Sequence, residues 1–172
     1  MKNVLLIAAM VACSAQAAKL DPDRPIEQQI TVQSSEFDAK TRYFSPELRA
    51  KMIDADDRVI TYLSISKDRK TGALEWGVIL GASYDGRWRM YESANLAGGK
   101  LLTAQNLGRQ VGICYQGSCT LHEGAGVVLG EADIQAALAN GLRLRWNSRG
   151  YGSFEVEFPA AYFAAMAEAA KR

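Results

Sequence analysis

Cys114 and Cys119 bracket the loop Tyr115-Gln116-Gly117-Ser118, and His122, the single histidine of the chain, follows three positions later. Two thiols and an imidazole this close in sequence admit three chemistries: a disulfide, a redox pair or a metal site. Redox pairs usually place two residues between the cysteines and seat one of them at a helix start, where the thiolate is stabilised. Here four residues intervene, in a strand context. For zinc, Cys114, Cys119 and His122 supply three ligands and the fourth would have to be Glu123 or something distant, a spacing unlike structural zinc motifs. The expected state outside the cytoplasm is a disulfide between Cys114 and Cys119, and no metal is assigned. So small a ring contributes only about 2 kcal/mol in the chain-entropy account, enough to set a hairpin tip.

Any general acid–base chemistry would have to use His122. Its sequence neighbour Glu123 is badly placed to orient it, because adjacent residues of a strand point to opposite faces. The chain contains neither a Gly-x-Ser-x-Gly elbow nor a His-Glu-x-x-His motif. Asp54, Asp56 and Asp57 lack the glycine and distal glutamate of a calcium loop and read as a solvated turn. Ala97-Gly98-Gly99-Lys100 lacks the upstream glycine and the following Ser/Thr of a phosphate loop. No cofactor is implied. The enzymatic alternative is a small hydrolase or metal-dependent enzyme centred on His122.

A second group of residues points to binding. Tyr84, Arg87, Arg89 and Tyr91 combine the side chains that dominate interface centres, and Arg with Tyr can hold an acidic partner or glycan through cation–π and bidentate contacts. Asp85-Gly86 is a type I′ turn signal. It predicts a hairpin joining 74–83 to 87–95, with those four side chains on one face and Trp88, Met90 and Ile79 on the other.

The elements that must position these residues follow from periodicity. Arg58–Ser66 is rich in β-branched and aromatic residues and reads as a strand. Residues 100–105, 109–115 and 118–129 read as three more, the last with Gly124 and Gly126 marking a bulge. Ile26–Val32 reads as an early edge strand. Ser45-Pro46-Glu47 has the order of a helix start, with Leu48 and Met52 one turn apart facing the core. Glu131–Asn140 is a helix stopped by Gly141. In Leu142–Phe158 two alternating runs flank a glycine-containing turn. One register sets Trp146 opposite Phe154, Arg145 opposite Glu155 and Arg143 opposite Glu157. Those arginines account for the paired acids. After Pro159, residues 160–171 form a helix whose Phe163, Met166 and Ala170 make an apolar stripe. The fold class expected is α+β: a single antiparallel β-sheet meander, sandwich- or barrel-like, with one inserted short helix and a C-terminal helix.

Met1-Lys2-Asn3, the apolar run Val4–Ala12 and the small residues of Ala15-Gln16-Ala17 form the three parts of a secretory leader. The organisation read from this is a signal peptide over 1–17, an N-terminal extension over 18–44 and a single α+β domain over 45–172. A lipoprotein-like box at Met10-Val11-Ala12-Cys13 is the competing processing site, with Cys13 lipidated and the protein held at the outer membrane. Removing residues 1–17 takes away Lys2 and no acid, leaving nineteen basic against nineteen acidic residues. A nucleic-acid binder normally carries a basic excess, so that class is disfavoured. No later segment has the unbroken apolar length of a transmembrane helix.

The stretch from about Arg109 to Ala167 resembles bacterial secreted proteins of the invasion-associated locus B type. The likeness is carried by the Cys114-x4-Cys119 loop, the short helix ending in Asn140-Gly141, the strand pair after it and the closing Phe/Ala-rich segment. It implies a periplasmic β-rich domain without known catalysis. The reading that unites these features is an exported, periplasmic or extracellular, non-enzymatic domain whose partner is a protein or a cell-envelope component.

Overall fold

The computed structural model describes residues 21–49 and 58–172. The expected leader with Cys13, Met52 and the aspartate cluster at 54–57 lie outside the described residues. The described residues form eleven strands, all paired antiparallel, and two α-helices. The chain adopts the expected α+β architecture, with its strands divided between two open sheets rather than gathered in a single one; neither closes into a barrel. Among the described residues, no helix is long and apolar enough to cross a membrane.

The larger sheet is built around β4 (Arg58–Asp68), β5 (Leu74–Asp85) and β9 (Ser118–Leu129), with β8 (Gln105–Tyr115) on its far side. On the near side lie β1 (Thr31–Gln33), β2 (Lys40–Phe44) and the two-residue β3 (Leu48–Arg49). Residues 31–44, read from the sequence as part of an extension, therefore belong to the sheet. A 3-10 turn at Ile26–Gln28 precedes β1, so the early strand starts later than its hydrophobic pattern suggested. The smaller sheet runs in the order β11 (Gly152–Phe158), β10 (Leu142–Ser148), β6 (Tyr91–Leu96), β7 (Leu101–Thr103).

One face of the larger sheet makes the core, and the period of two decides which residues reach it. Val59, Leu63 and Ile65 of β4 align with Ala82, Val78 and Trp76 of β5, which align in turn with Glu123, Val127 and Leu129 of β9. Against this face pack Tyr91, Ala94, Leu96, Leu144, Trp146 and Phe158 of the smaller sheet, all buried. The C-terminal helix α2 (Ala160–Lys171) covers the rest, with Phe163 stacked on Trp76 at 5.8 Å between ring centroids. Its Phe163, Met166 and Ala170 form the buried stripe that their spacing predicts. The Lys67 ammonium donates to the Ala170 carbonyl at 2.7 Å, placing a cation where the helix dipole is negative.

The helix α1 (Glu131–Asn140) ends where Gly141 adopts φ +77°, and the β10–β11 hairpin has the expected register throughout: Trp146 faces Phe154, Arg145 faces Glu155, Arg143 faces Glu157. The ion pair that forms is the diagonal one, Arg143 to Glu155 at 3.0 Å.

Two local expectations are overturned. Ser45-Pro46-Glu47 starts no helix. The Ser45 amide donates to the Leu63 carbonyl at 3.0 Å and its hydroxyl accepts from the Leu63 amide at 2.9 Å, so the capping side chain serves β4 and the chain continues as β3. Residues 87–95 do not fold back on β5 at Asp85-Gly86. Both edges of β5 are already taken by β4 and β9 over ten rungs each, which leaves no ladder for a hairpin partner. The chain instead crosses to the other sheet, turning at Gly86 (φ +108°) and Met90 (φ +55°), and β6 pairs with β10 and β7.

Candidate functional site

Two regions of the molecule collect side chains with chemistry in them, and they sit at the same end of the domain. The first is interior. On β9 the core-facing residues read Leu121, Glu123, Ala125, Val127, Leu129, so a carboxylate stands in an apolar row and is 3% exposed. A buried charge survives only when donors surround it. Glu123 has four. Its Oε2 accepts from the Tyr84 hydroxyl at 2.6 Å and the Met90 amide at 3.1 Å. Its Oε1 accepts from the Tyr91 amide at 3.2 Å and from Arg109 Nε at 3.0 Å. Arg109 lies directly opposite Glu123 on β8.

The Tyr84 hydroxyl is shared, since it also accepts from the Arg89 amide at 3.0 Å. Burial, then the hydrogen bond to Glu123, pushes the Tyr84 phenol well above the ordinary tyrosine value, which keeps it a proton donor. The Arg89 guanidinium is sandwiched between two rings, 4.1 Å from the centroid of Tyr84 and 4.0 Å from that of Tyr151. The Arg149 amide donates to the carbonyls of Arg89 and Met90 at 3.0 and 3.1 Å, docking the β10–β11 turn on the crossing segment. An ionised carboxylate offers about four acceptor positions, and here four donors use them. Glu123 is thereby committed to holding the crossing between the sheets, with no lone pair left to act as a general base or a metal ligand.

This geometry redistributes the Arg/Tyr group. Tyr84, Arg89 and Tyr91 are buried and only Arg87 is exposed, so the four do not form one surface. The hairpin that would have aligned them does not exist, and three of them serve the Glu123 node. His122 points away from that node. It is exposed on the opposite face of β9, paired with Ser83 and Gln110, and its ring lies over Gly112, where a Cβ would meet Nε2 at 2.6 Å. Among the described residues, no group of three His, Cys, Asp or Glu side chains is placed to share a metal ion.

The second region is the outer edge of the larger sheet. Cys114 and Cys119 face each other across the β8–β9 ladder and are joined as a disulfide, with Cα atoms 4.0 Å apart. The turn they clamp is Gln116-Gly117, with φ +49° and +85°, two successive positive values as a type I′ turn requires. The irregularity expected at Gly124 and Gly126 is carried by β8 instead, between Asn106 and Gly108 and again between Val111 and Cys114. The two glycines form the floor beneath Leu107, whose Cβ and Cδ1 would lie 3.3 and 3.2 Å from a Cβ at Gly124 and Gly126.

β9 pairs with one side of β8, and no strand among the described residues covers the other. Along this free edge Val111, Ile113 and Tyr115 are 54%, 83% and 74% exposed. From Gln110 to Tyr115 there is neither charge nor proline. Asp85 pairs with Thr120, so the crossing segment with exposed Arg87 leaves the sheet beside the disulfide, and half-exposed Tyr151 stacks on Arg89 next to it.

No family model, curated protein or solved structure matches this chain.

Sequence reasoning missed both the node and the edge. The signal for Glu123 was its parity, an acid in register with Leu121, Ala125, Val127 and Leu129. The edge had no local signal, since a strand is known to be outermost only when the whole sheet order is known.

Proposed function

We propose that this chain is an exported binding domain, without catalysis of its own, that engages a protein partner through the β8 edge and the disulfide-clamped tip. The observation that carries this reading is the concentration of exposed apolar side chains. Three of the nine large hydrophobic residues exposed in the described chain, Val111, Ile113 and Tyr115, fall within five positions of one free strand. Natural proteins usually defend such an edge with charge, proline, bulges or cover; residues 110–115 carry a bulge but neither charge nor proline, and clustered exposed apolar side chains mark interaction sites. Tyr115, Tyr151 and Arg87 around it are of the types that anchor interfaces.

Export is supported by the leader pattern of residues 1–17 together with the Cys114–Cys119 disulfide, which persists in an oxidising compartment such as the periplasm. The resemblance of residues 109–167 to secreted locus B-type proteins points the same way. The near balance of charge favours a protein or envelope component over nucleic acid.

The test is affinity capture from envelope extract with wild-type bait, Ile113→Lys bait and Arg87→Ala bait, with bound proteins identified by mass spectrometry. Loss of a specific partner with Ile113→Lys is the expected result. A partner set identical for wild type and Ile113→Lys would remove the β8 edge from consideration. The mature N-terminus is read from the same preparation: Ala18 indicates cleavage after Ala17, a lipidated Cys13 an outer-membrane anchor.

A further inference from the structure

We infer that the Cys114–Cys119 disulfide is a redox switch on this surface. Closed, it orders the tip that displays Ile113 and Tyr115; reduced by a dithiol protein, it releases that tip while both sheets stay folded. This rests on the binding reading above and names the regulation of that site.

The tip projects beyond the sheet that carries it. β5 ends at Asp85, opposite Thr120, so Ser118 and Cys119 have only β8 beside them. On β8 the pairing is irregular between Val111 and Cys114. Beyond that bulge two rungs remain, Cys114 with Cys119 and Tyr115 with Ser118. Residues 113–118 are all exposed. Among the described residues, the one side-chain hydrogen bond made by residues 112–119 is internal: Gln116 Nε2 donates to the Tyr115 hydroxyl at 3.4 Å. Packing therefore adds little here, and the covalent link carries the order of the tip. The turn itself works against that order, because Gln116 holds φ +49°, a left-handed conformation that residues other than glycine disfavour. A two-stranded ribbon without a covering layer is marginal in water, and two rungs around a disfavoured turn do not persist without the clamp.

The same exposure makes the clamp reachable. Cys114 is exposed and Cys119 only partly so, which directs attack to Cys114 Sγ. One thiolate of a Cys-x-x-Cys dithiol attacks that sulfur, forms a mixed disulfide and expels Cys119 as a thiolate. The second thiolate of the reductant then attacks its own partner's sulfur, closes the reductant's disulfide and expels Cys114. Two electrons and two protons pass from the dithiol to the two cysteines. β9 keeps its rungs with β5 from Thr120 to Leu129 throughout, so the domain survives the exchange. A partner meeting the released tip must order it on binding, which weakens the contact.

The test compares the oxidised mature protein, the same protein treated with dithiothreitol, and the double variant Cys114→Ser, Cys119→Ser. In native buffer, dithiothreitol is expected to reduce the pair at a rate unchanged by urea below the unfolding transition, read by alkylation and mass spectrometry. Backbone 15N heteronuclear NOE values for residues 112–119 are expected to match those of β9 in the oxidised protein and to fall in the other two forms. Those of residues 58–68 and 121–129 should not change. In the capture from envelope extract, the partner lost with Ile113→Lys is expected to be depleted at least about tenfold on the double-serine bait. Reduction only after urea unfolds the domain, a tip equally ordered in all three forms, or an Ile113-dependent partner held equally by the double-serine bait would each overturn the switch and leave the binding reading standing. A partner set unchanged by Ile113→Lys fails the binding reading instead, and the NOE values alone then decide whether the disulfide orders the tip.

Discussion

The Glu123 node and the β8 edge lie on paired strands at one end of the domain, yet they are opposites in how their chemistry is used. The node assembles the groups most often associated with recognition, a carboxylate, a phenol and two guanidiniums, and turns them all inward. Its carboxylate oxygens have four donors, and Arg89 is enclosed by Tyr84 and Tyr151. The edge offers only Val111, Ile113, Tyr115 and a row of backbone groups, but leaves them without cover among the described residues. Position in the sheet order, more than residue type, decides which of the two can meet a partner.

That contrast can be broken by mutation, beginning with the node. Glu123→Ala leaves the Tyr84 hydroxyl, the Met90 and Tyr91 amides and Arg109 without their acceptor. Stripping one partner from a buried, hydrogen-bonded charge costs about 3–5 kcal/mol, and the expected result is a matching fall in the urea midpoint. A loss below about 1 kcal/mol would mean that the node does not hold the two sheets together.

Tyr84→Phe is the smaller blow, removing one donor to Glu123 and the acceptor for the Arg89 amide, for about 1–3 kcal/mol. It also sharpens the pH behaviour. Burial raises the phenols of Tyr84 and Tyr162, and Tyr62 rises to about 12 through burial and then the nearby charge of Glu47. A phenol raised in the folded state stabilises it fully below the unfolded value of about 10, and that contribution is lost as pH climbs through the folded value. Urea midpoints should therefore fall between pH about 10 and about 12, and fall less steeply in Tyr84→Phe. A parallel pair of curves would separate Tyr84 from that alkaline loss.

The least effect on stability belongs to the edge. Ile113→Lys should leave the unfolding free energy from urea titration within about 0.5 kcal/mol of wild type, as exposed substitutions do, although it is the variant expected to abolish partner capture. If instead it destabilised the fold as the node variants do, the two regions would not divide structure from recognition.

What could be read along the chain was what neighbours in sequence decide. The β10–β11 register, the stop of α1 at Gly141 and the buried stripe of α2 rest on alternation, a glycine with positive φ and a helical period, all contained within a few residues. What could not be read was partner choice. Asp85-Gly86 has the composition of a hairpin turn, but β5 had two distant neighbours already. Ser45-Pro46 has the composition of a helix start, but Leu63 competed for the same side chain. The Arg/Tyr group had the composition of a surface, and the crossing between sheets drew three of its four members inside. In each case a local preference worth about 1 kcal/mol yielded to burial and pairing over a whole strand.

The pairing of β5 with β9 also bears on how the chain reaches this arrangement. Trp76 meets Leu129, and the strands β6, β7 and β8 lie between them in sequence. A ribosome must therefore release most of the domain before the centre of the larger sheet can close. Contacts so far apart along the chain make for slow folding, and until β9 arrives the long apolar ladder of β5 stands open to any other unfinished copy. That interval is when a chaperone matters most.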